Sequence, residues 1–281
     1  MLHLVVCVKQ VPMVSELPWD PRTGTLRREM ADGMMDPACK HALEAALRLR
    51  RRYGASVTAV TMGPPMAREI LHEAVALGAD RGVLLTDPRM AGADTMITAR
   101  TLAAAIHAAV PEADLVLCGN RTSDSETGQV GPQLAGALNF PSVAGVESLE
   151  LSGRNLTVTR RADGFRETLE MALPALVTVD PRAFAPRYPT LDGVCDAFGE
   201  VDIRTLTVED IGLEPSAVGL KASPTAILDV TSAAASKENV VLTGPTRKLV
   251  NALFETFGDR IGGAMGKDLK THCHTGEEEE A

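Results

Sequence analysis

The chain has 281 residues, 45% of them hydrophobic and 23% charged, with a formal net charge of −9. That length supports a sizeable core, and no apolar run approaches the 18 or so residues that read as a membrane span. The acidic balance excludes a duplex-binding surface, which depends on clustered Lys and Arg, so a soluble protein with no nucleic-acid partner and no membrane insertion is expected.

The first residues, Met1 to Val6, run straight into an apolar strand with no basic n-region, cleavage site or presequence. That pattern predicts the bacterial or archaeal cytoplasm. Four near-continuously apolar runs, Leu4 to Val8, Val57 to Met62, Gly82 to Thr86 and Leu115 to Cys118, alternate with helical patterns near Ala38 to Arg51, Ala67 to Leu77 and Met96 to Ala109. Strands buried on both faces look like this, and the alternation predicts a doubly wound parallel α/β sheet. The arginines Arg48, Arg50, Arg51 and Arg52 close the first of these helices, where cations suit the helix dipole.

A short helix is expected at Gln133 to Leu138, followed by Ser148 to Ser152, Asn155 to Arg160, Phe165 to Met171 and Ala175 to Val179 as an antiparallel hairpin extension at about 145–180. Asp163-Gly164 is its turn signal. Residues 1–190 thus read as one α/β domain and 191–281 as a C-terminal arm. From Asp180 to about Thr243 the pattern is irregular and broken by Pro181, Pro186, Pro189, Pro215 and Pro224, as in a segment that lies on its own domain or on a partner. An amphipathic helix is predicted at Thr246 to Phe257 with Gly258 as its stop, and the acidic tail Glu277 to Glu280 is expected to be solvated and disordered.

Five cysteines, Cys7, Cys39, Cys118, Cys195 and Cys273, form no C-x-x-C pair, which points to a reducing compartment rather than a disulfide framework. His41, His72 and His107 fall in helical patterns as core or surface residues. His272-Cys273-His274 lies in the tail and lacks an ordered frame for a metal. No nucleophile elbow, P-loop or G-x-G-x-x-G is present.

The most informative stretch follows the fourth strand: Cys118, Gly119, Asn120, Arg121, Thr122, Ser123, Asp124, Ser125, Glu126, Thr127, Gly128, Gln129, Val130, Gly131 and Pro132. It reads as strand, polar glycine-bearing loop and helix start, where unpaired N–H groups favour an anionic ligand such as a nucleotide phosphate. With the common strand order 3-2-1-4, this loop meets Val8-Lys9-Gln10-Val11-Pro12 at the switch point, where such sheets bind ligands. Asp124 would accept from a ribose or base, while Thr127 and Gln129 would donate to phosphate. Thr95 and Thr98 share one helix face after Asp94; they read either as cap and turn residues or as contacts to an isoalloxazine ring.

Several words in order complete a family pattern: Val8-Lys9-Gln10-Val11-Pro12, Asp36-Pro37 opening the first helix, Met62-Gly63-Pro64, Ala76-Leu77-Gly78-Ala79-Asp80, the Gly119 to Pro132 loop, and Leu173-Pro174-Ala175-Leu176 followed by Pro186-Arg187-Tyr188-Pro189. Over roughly residues 2–190 the chain resembles the electron transfer flavoprotein β subunit. The resemblance implies an adenine nucleotide α-hydrolase-like fold and a heterodimer with an α subunit that carries FAD. It also implies a second nucleotide in this chain, which is AMP in some members and FAD in electron-bifurcating ones that oxidise NADH. The implied redox partners are acyl-CoA dehydrogenase-like or quinone-reducing proteins, and the C-terminal segment would wrap the α subunit.

Carried over by position, the cofactor contacts would be Cys7, Val8, Lys9, Asp36, Pro37, Ala38, Cys39, Met62, Asp94, Thr95, Thr98 and the loop from Cys118 to Pro132. The words Thr127-x-Gln129-Val130-Gly131-Pro132 and Asp94-Thr95-x-x-Thr98 resemble the FAD-binding, bifurcating members more than the AMP-binding ones. Two departures stand out: Asp36 replaces the usual Asn, and the basic docking run after Tyr188 is replaced by Leu191-Asp192-Gly193-Val194-Cys195-Asp196. A non-redox adenine-nucleotide-binding regulatory module is the alternative of another class.

Overall fold

The computed structural model describes residues 1–13, 19–20, 25–26, 33–199, 201–226 and 241–265. Strand β1 (His3–Cys7) leads into β2 (Gln10–Pro12), a two-residue ribbon of β3 (Trp19–Asp20) and β4 (Thr25–Leu26), and β5 (Gly33–Met35), which pairs antiparallel with β2. Helix α1 (Pro37–Tyr53) follows, then β6 (Ser56–Met62), α2 (Arg68–Leu77), β7 (Arg81–Leu85), α3 (Thr95–Ala109), β8 (Leu115–Gly119) and α4 (Val130–Leu138). Beyond these come β9 (Ser142–Ser152), β10 (Asn155–Ala162), β11 (Phe165–Ala172), β12 (Ala175–Val179), α5 (Leu191–Phe198), β13 (Ile203–Leu206), α6 (Gly219–Ala222) and α7 (Thr246–Met265).

One nine-stranded sheet has the order β11-β10-β9-β12-β8-β1-β6-β7-β13. Its centre, β7-β6-β1-β8, is the predicted 3-2-1-4 arrangement, with β1 parallel to both β6 and β8. Alternation along β1 sends Leu4, Val6 and Val8 into the core beneath α1 and α2, and Val5 and Cys7 toward α3 and α4. The helices therefore cover both faces, as a doubly wound sheet requires.

Local chemistry explains the element ends. Helix α1 begins where the Asp36 carboxylate accepts from Ala38 N–H, with Pro37 at the first helical position, and it stops at Gly54, whose φ of 69° lets its N–H reach Arg50 O. Arg50, Arg51 and Arg52 occupy its last turn. The β10–β11 turn sits on Asp163 (φ 51°) and Gly164 (φ 83°), the two positive-φ positions of a tight hairpin.

The structure corrects four expectations. Ala175–Val179 is not part of the antiparallel extension: β12 lies inside the sheet, parallel to both β8 and β9, and every residue of it is buried. The stretch after Asp180 has buried residues of its own. α5 docks on α2, β13 extends the sheet parallel to β7, and Ile203, Leu206, Val208, Ile211 and Val218 enter the core. The predicted short helix starts earlier, at Val130. Finally, α7 continues through Gly258 to Met265. A glycine ends a helix by adopting positive φ; Gly258 does not, and inside a helix it costs only about 1 kcal/mol.

Residues 1–230 form one compact unit and 231–281 another. In the second unit the described part is dominated by α7, which leaves Val250, Leu253 and Phe254 exposed. The Glu277 to Glu280 tail and His272-Cys273-His274 lie outside the described residues. No described helix is long and apolar enough to cross a membrane.

Candidate functional site

At the carboxyl ends of β1 and β8 the two predicted loops meet. Cys7 and Cys118 are register partners on these strands, and Val8 N–H donates to Val60 O at 2.9 Å. Beyond them, Lys9 Nζ reaches Asp124 at 2.7 Å, joining the loop after β1 to the loop after β8. Burial disfavours the Asp124 charge, but the Lys9 ion pair outweighs it and holds the carboxyl below its ordinary value. Asp124 thus answers a lysine of its own chain.

The Asp36 carboxylate, 1% exposed, ties this loop to α1. One oxygen accepts from Ala38 N–H at 2.9 Å; the other accepts from Ser123 N–H at 2.7 Å and Ser123 Oγ at 2.9 Å. Asp36 is therefore a positioning group with both oxygens occupied. Gly119 lets the loop pass close to α1, since a Cβ there would lie 2.9 Å from the Ala38 carbonyl carbon. The Ala38 backbone is thus pressed against the loop, while Cys39 is buried beneath it. Burial, reinforced by the Asp36 charge, pushes the Cys39 thiol up to about 12.

The loop then folds on itself. Glu126 N–H donates to Thr122 O at 2.9 Å, the Thr122 and Ser125 hydroxyls lie 3.0 Å apart, and Arg121 and Glu126 form an exposed 4.0 Å ion pair. Positive φ at Glu126 (49°) and Gly128 (62°) turns the chain past the exposed Thr127 into Gln129, which precedes α4. Val130 and Gly131 are the first two α4 residues, so their N–H groups have no intrahelical partner. Pro132 has no N–H to offer. Gly131 packs α4 on the sheet, where a Cβ would stand 2.5 Å from Thr178 Cγ2.

Across the crevice, Asp94 caps α3 through Ile97 N–H at 2.9 Å, and Thr95 Oγ1 donates to Gln129 Oε1 at 3.2 Å. Thr98 is half-buried on the same helix turn, and half-buried Met62 ends the neighbouring β6. Asp94 also receives Thr225 N–H and Oγ1 at 3.1 and 2.8 Å, and its own N–H donates to Ser223 Oγ. Its cap reading is thus realised, and its carboxylate faces residues 223–225. Ser223 and Thr225 had no sequence signal, because a contact 131 residues away leaves none in local pattern. Among the described residues, Asn120 Oδ1 on this loop and Gln133 Oε1 on α4 are buried acceptors without a partner. The second was not anticipated, although it stands four residues after Gln129.

Two concavities lie elsewhere, about the carboxyl-terminal turns of α1. One of about 390 Å³ is lined by Arg50, Arg51 and Arg187, and one of about 410 Å³ by Arg48, Arg52 and Phe184. Their guanidinium groups are largely engaged by Glu44, Asp80 and Glu150.

Residues 23–211 match the family model of the electron transfer flavoprotein domain. The chain is 37% identical over 259 residues to the electron transfer flavoprotein subunit beta of Thermoanaerobacterium thermosaccharolyticum, covering 92% of this chain and 99% of that one. It is 41% identical over 246 residues to the caffeyl-CoA reductase-Etf complex subunit CarD of Acetobacterium woodii (87% and 93%). It is also 39% identical over 272 residues to protein FixA of Rhizobium meliloti (92% of each). Taken with the switch-point geometry, these similarities place the chain in the electron transfer flavoprotein family, among the β subunits.

Proposed function

We propose that this chain binds FAD in the crevice between the loop after β8 and the amino-terminal end of α3, and that with an α subunit it passes electrons between NADH or a dehydrogenase and a second acceptor. The observation that carries the reading is the joined pair of loops at the β1/β8 switch point, bearing the unpartnered Asn120 Oδ1 and the α4 N–H groups that lack an intrahelical partner. An adenine nucleotide fits such a donor and acceptor set: Asn120 accepts from a base or ribose, and Val130, Gly131 and Thr127 donate to phosphate. Thr95 and Gln129 come from the two sequence words that favour FAD over AMP, and here they touch.

FAD would supply two-electron uptake and one-electron release, chemistry the side chains of this crevice do not provide. The chain's own part is positional. Asp36 and Lys9 fix the loop, Gly131 and Thr178 set the height of α4, and Asp94 fixes the start of α3.

A partner surface is supported by α5 and the residues before it. Tyr188 and Phe198 are 91% and 76% exposed, and Leu191 and Val194 stand between them. Gly193, whose Cβ would run into Ala76 O, holds the helix down on α2. Exposed apolar clusters of this kind mark interaction surfaces. Relatives named for caffeyl-CoA and acryloyl-CoA reductases favour an acyl-CoA dehydrogenase-like partner here.

The test is the nucleotide content of the coexpressed heterodimer. Two FAD per α/β pair is the expected result; one FAD with one AMP would overturn the second flavin and leave the AMP-binding reading. An anaerobic NADH titration followed in the flavin band then decides the donor: bleaching is expected, and its absence removes NADH.

A further inference from the structure

Two thiols stand side by side beneath the crevice. Cys7, the last residue of β1, and Cys118, one residue before the end of β8, are partners in parallel register. Parallel neighbours lie about 4.8 Å apart, inside the roughly 4.4–6.8 Å window that a disulfide spans between Cα atoms. Both side chains face the α3/α4 layer. Cys39 is buried on the opposite, α1 side of the sheet. Exposure separates the two partners, for Cys7 is half-buried at the crevice and Cys118 is buried.

We propose that Cys7 and Cys118 are an oxidisable dithiol in the crevice floor, which a hydroperoxide converts to a disulfide that loosens the bound nucleotide. The half-buried Cys7 sulfur attacks the peroxide, giving a sulfenic acid and releasing water (or an alcohol from an organic hydroperoxide). Cys118 then attacks that sulfur, forming the S–S bond and releasing a second molecule, water. In total two thiols lose two hydrogens and one peroxide bond is reduced. A disulfide holds its Cβ atoms about 3.8 Å apart, closer than the about 4.8 Å between neighbouring strands, so closing the bond draws together the strand ends from which Val8-Lys9 and Gly119-Asn120 run. The link does not depend on whether FAD or AMP is held, since it forms from residues of this chain alone.

The experiment uses the purified heterodimer, treated with hydrogen peroxide, alkylated and digested with trypsin. The three cysteines fall in separate peptides, residues 1–9, 29–40 and 101–121. Peptides 1–9 and 101–121 should be joined, and dithiothreitol should separate them. Nucleotide in the filtrate, assayed as both FAD and AMP, should rise several-fold over the untreated sample. Cys7→Ser should abolish the link and the peroxide-dependent rise, whereas Cys195→Ser, at an exposed thiol on α5, should keep both. A link from 1–9 to 29–40, separate oxidation of each cysteine, no reaction, or a link without release would overturn the proposal. A heterodimer holding neither nucleotide would overturn the cofactor reading, and the peptide map would still decide the dithiol.

Discussion

Replacing Asp36 with alanine removes three hydrogen bonds at once and leaves their donors without the acceptor they share. Loss of the α1 cap costs about 1 kcal/mol. The two bonds from Ser123 end on a charged acceptor, where each is worth about 1.5–3 kcal/mol, but Ser123 is exposed and water recovers part of that. The sum is about 2–4 kcal/mol. Urea unfolding of the heterodimer, followed by circular dichroism, should show the midpoint lowered by about 1 M, given a slope of about 2–3 kcal/mol/M. Asp36→Asn keeps an oxygen for Ala38 N–H but turns a donor toward Ser123, so it should lose about half as much stability. Nucleotide affinity should fall in both variants, because the loop after β8 loses its tie to α1. Asp36→Ala unfolding within about 0.5 kcal/mol of wild type, or two indistinguishable variants, would remove Asp36 as the anchor of the loop.

Gly131→Ala should destabilise by about 1–3 kcal/mol through overpacking against Thr178 and should reduce nucleotide content; a variant with wild-type stability and full occupancy contradicts the close approach of α4. Gly193→Ala should push α5 off α2 and lower the rate of electron transfer to a dehydrogenase partner while leaving nucleotide content unchanged, which a stopped-flow assay against a flavin count can separate. Burial opposes the charge on Asp94, yet the Ile97 and Thr225 hydrogen bonds prevail and hold its carboxyl below the ordinary value. Its stabilisation is therefore complete above about pH 4, the unfolded value, and is lost as pH falls through the lower folded value. Asp94→Asn should flatten the decline in stability below about pH 4; an unchanged decline argues against the Asp94 contribution.

The central sheet was legible because strands buried on both faces have a composition that few other elements share. Its switch point followed from the order 3-2-1-4 alone. The misplacement of Ala175–Val179 arose from reading it by its neighbours, three strands that alternate, although its own five residues are all apolar or β-branched, the pattern of a central parallel strand. Ile203–Leu206 and Leu191–Phe198 are too short to announce themselves. The first is a four-residue edge strand, and the second contains a glycine and is held by contact, with Ala197 O 2.6 Å from His72 Nδ1. In the crevice, the polar loop and its helix start were visible in residue type. The role of Asp36 as an anchor was not, since its partner Ser123 lies 87 residues away.

The place of β12 governs how this chain can be made. After β8 the polypeptide leaves to build β9, β10 and β11, then returns to fill the gap between β9 and β8. Until residues 175–179 emerge from the ribosome, β8 is an open apolar edge and the hairpin strands have no sheet to join. The β7 edge waits longer still, for residues 203–206. Pairings this distant in sequence are slow to form, and exposed edges invite aggregation meanwhile. Truncations ending before residue 206 should therefore accumulate as insoluble chain, and the nucleotide crevice is completed only late in synthesis although nearly all its residues lie before residue 133.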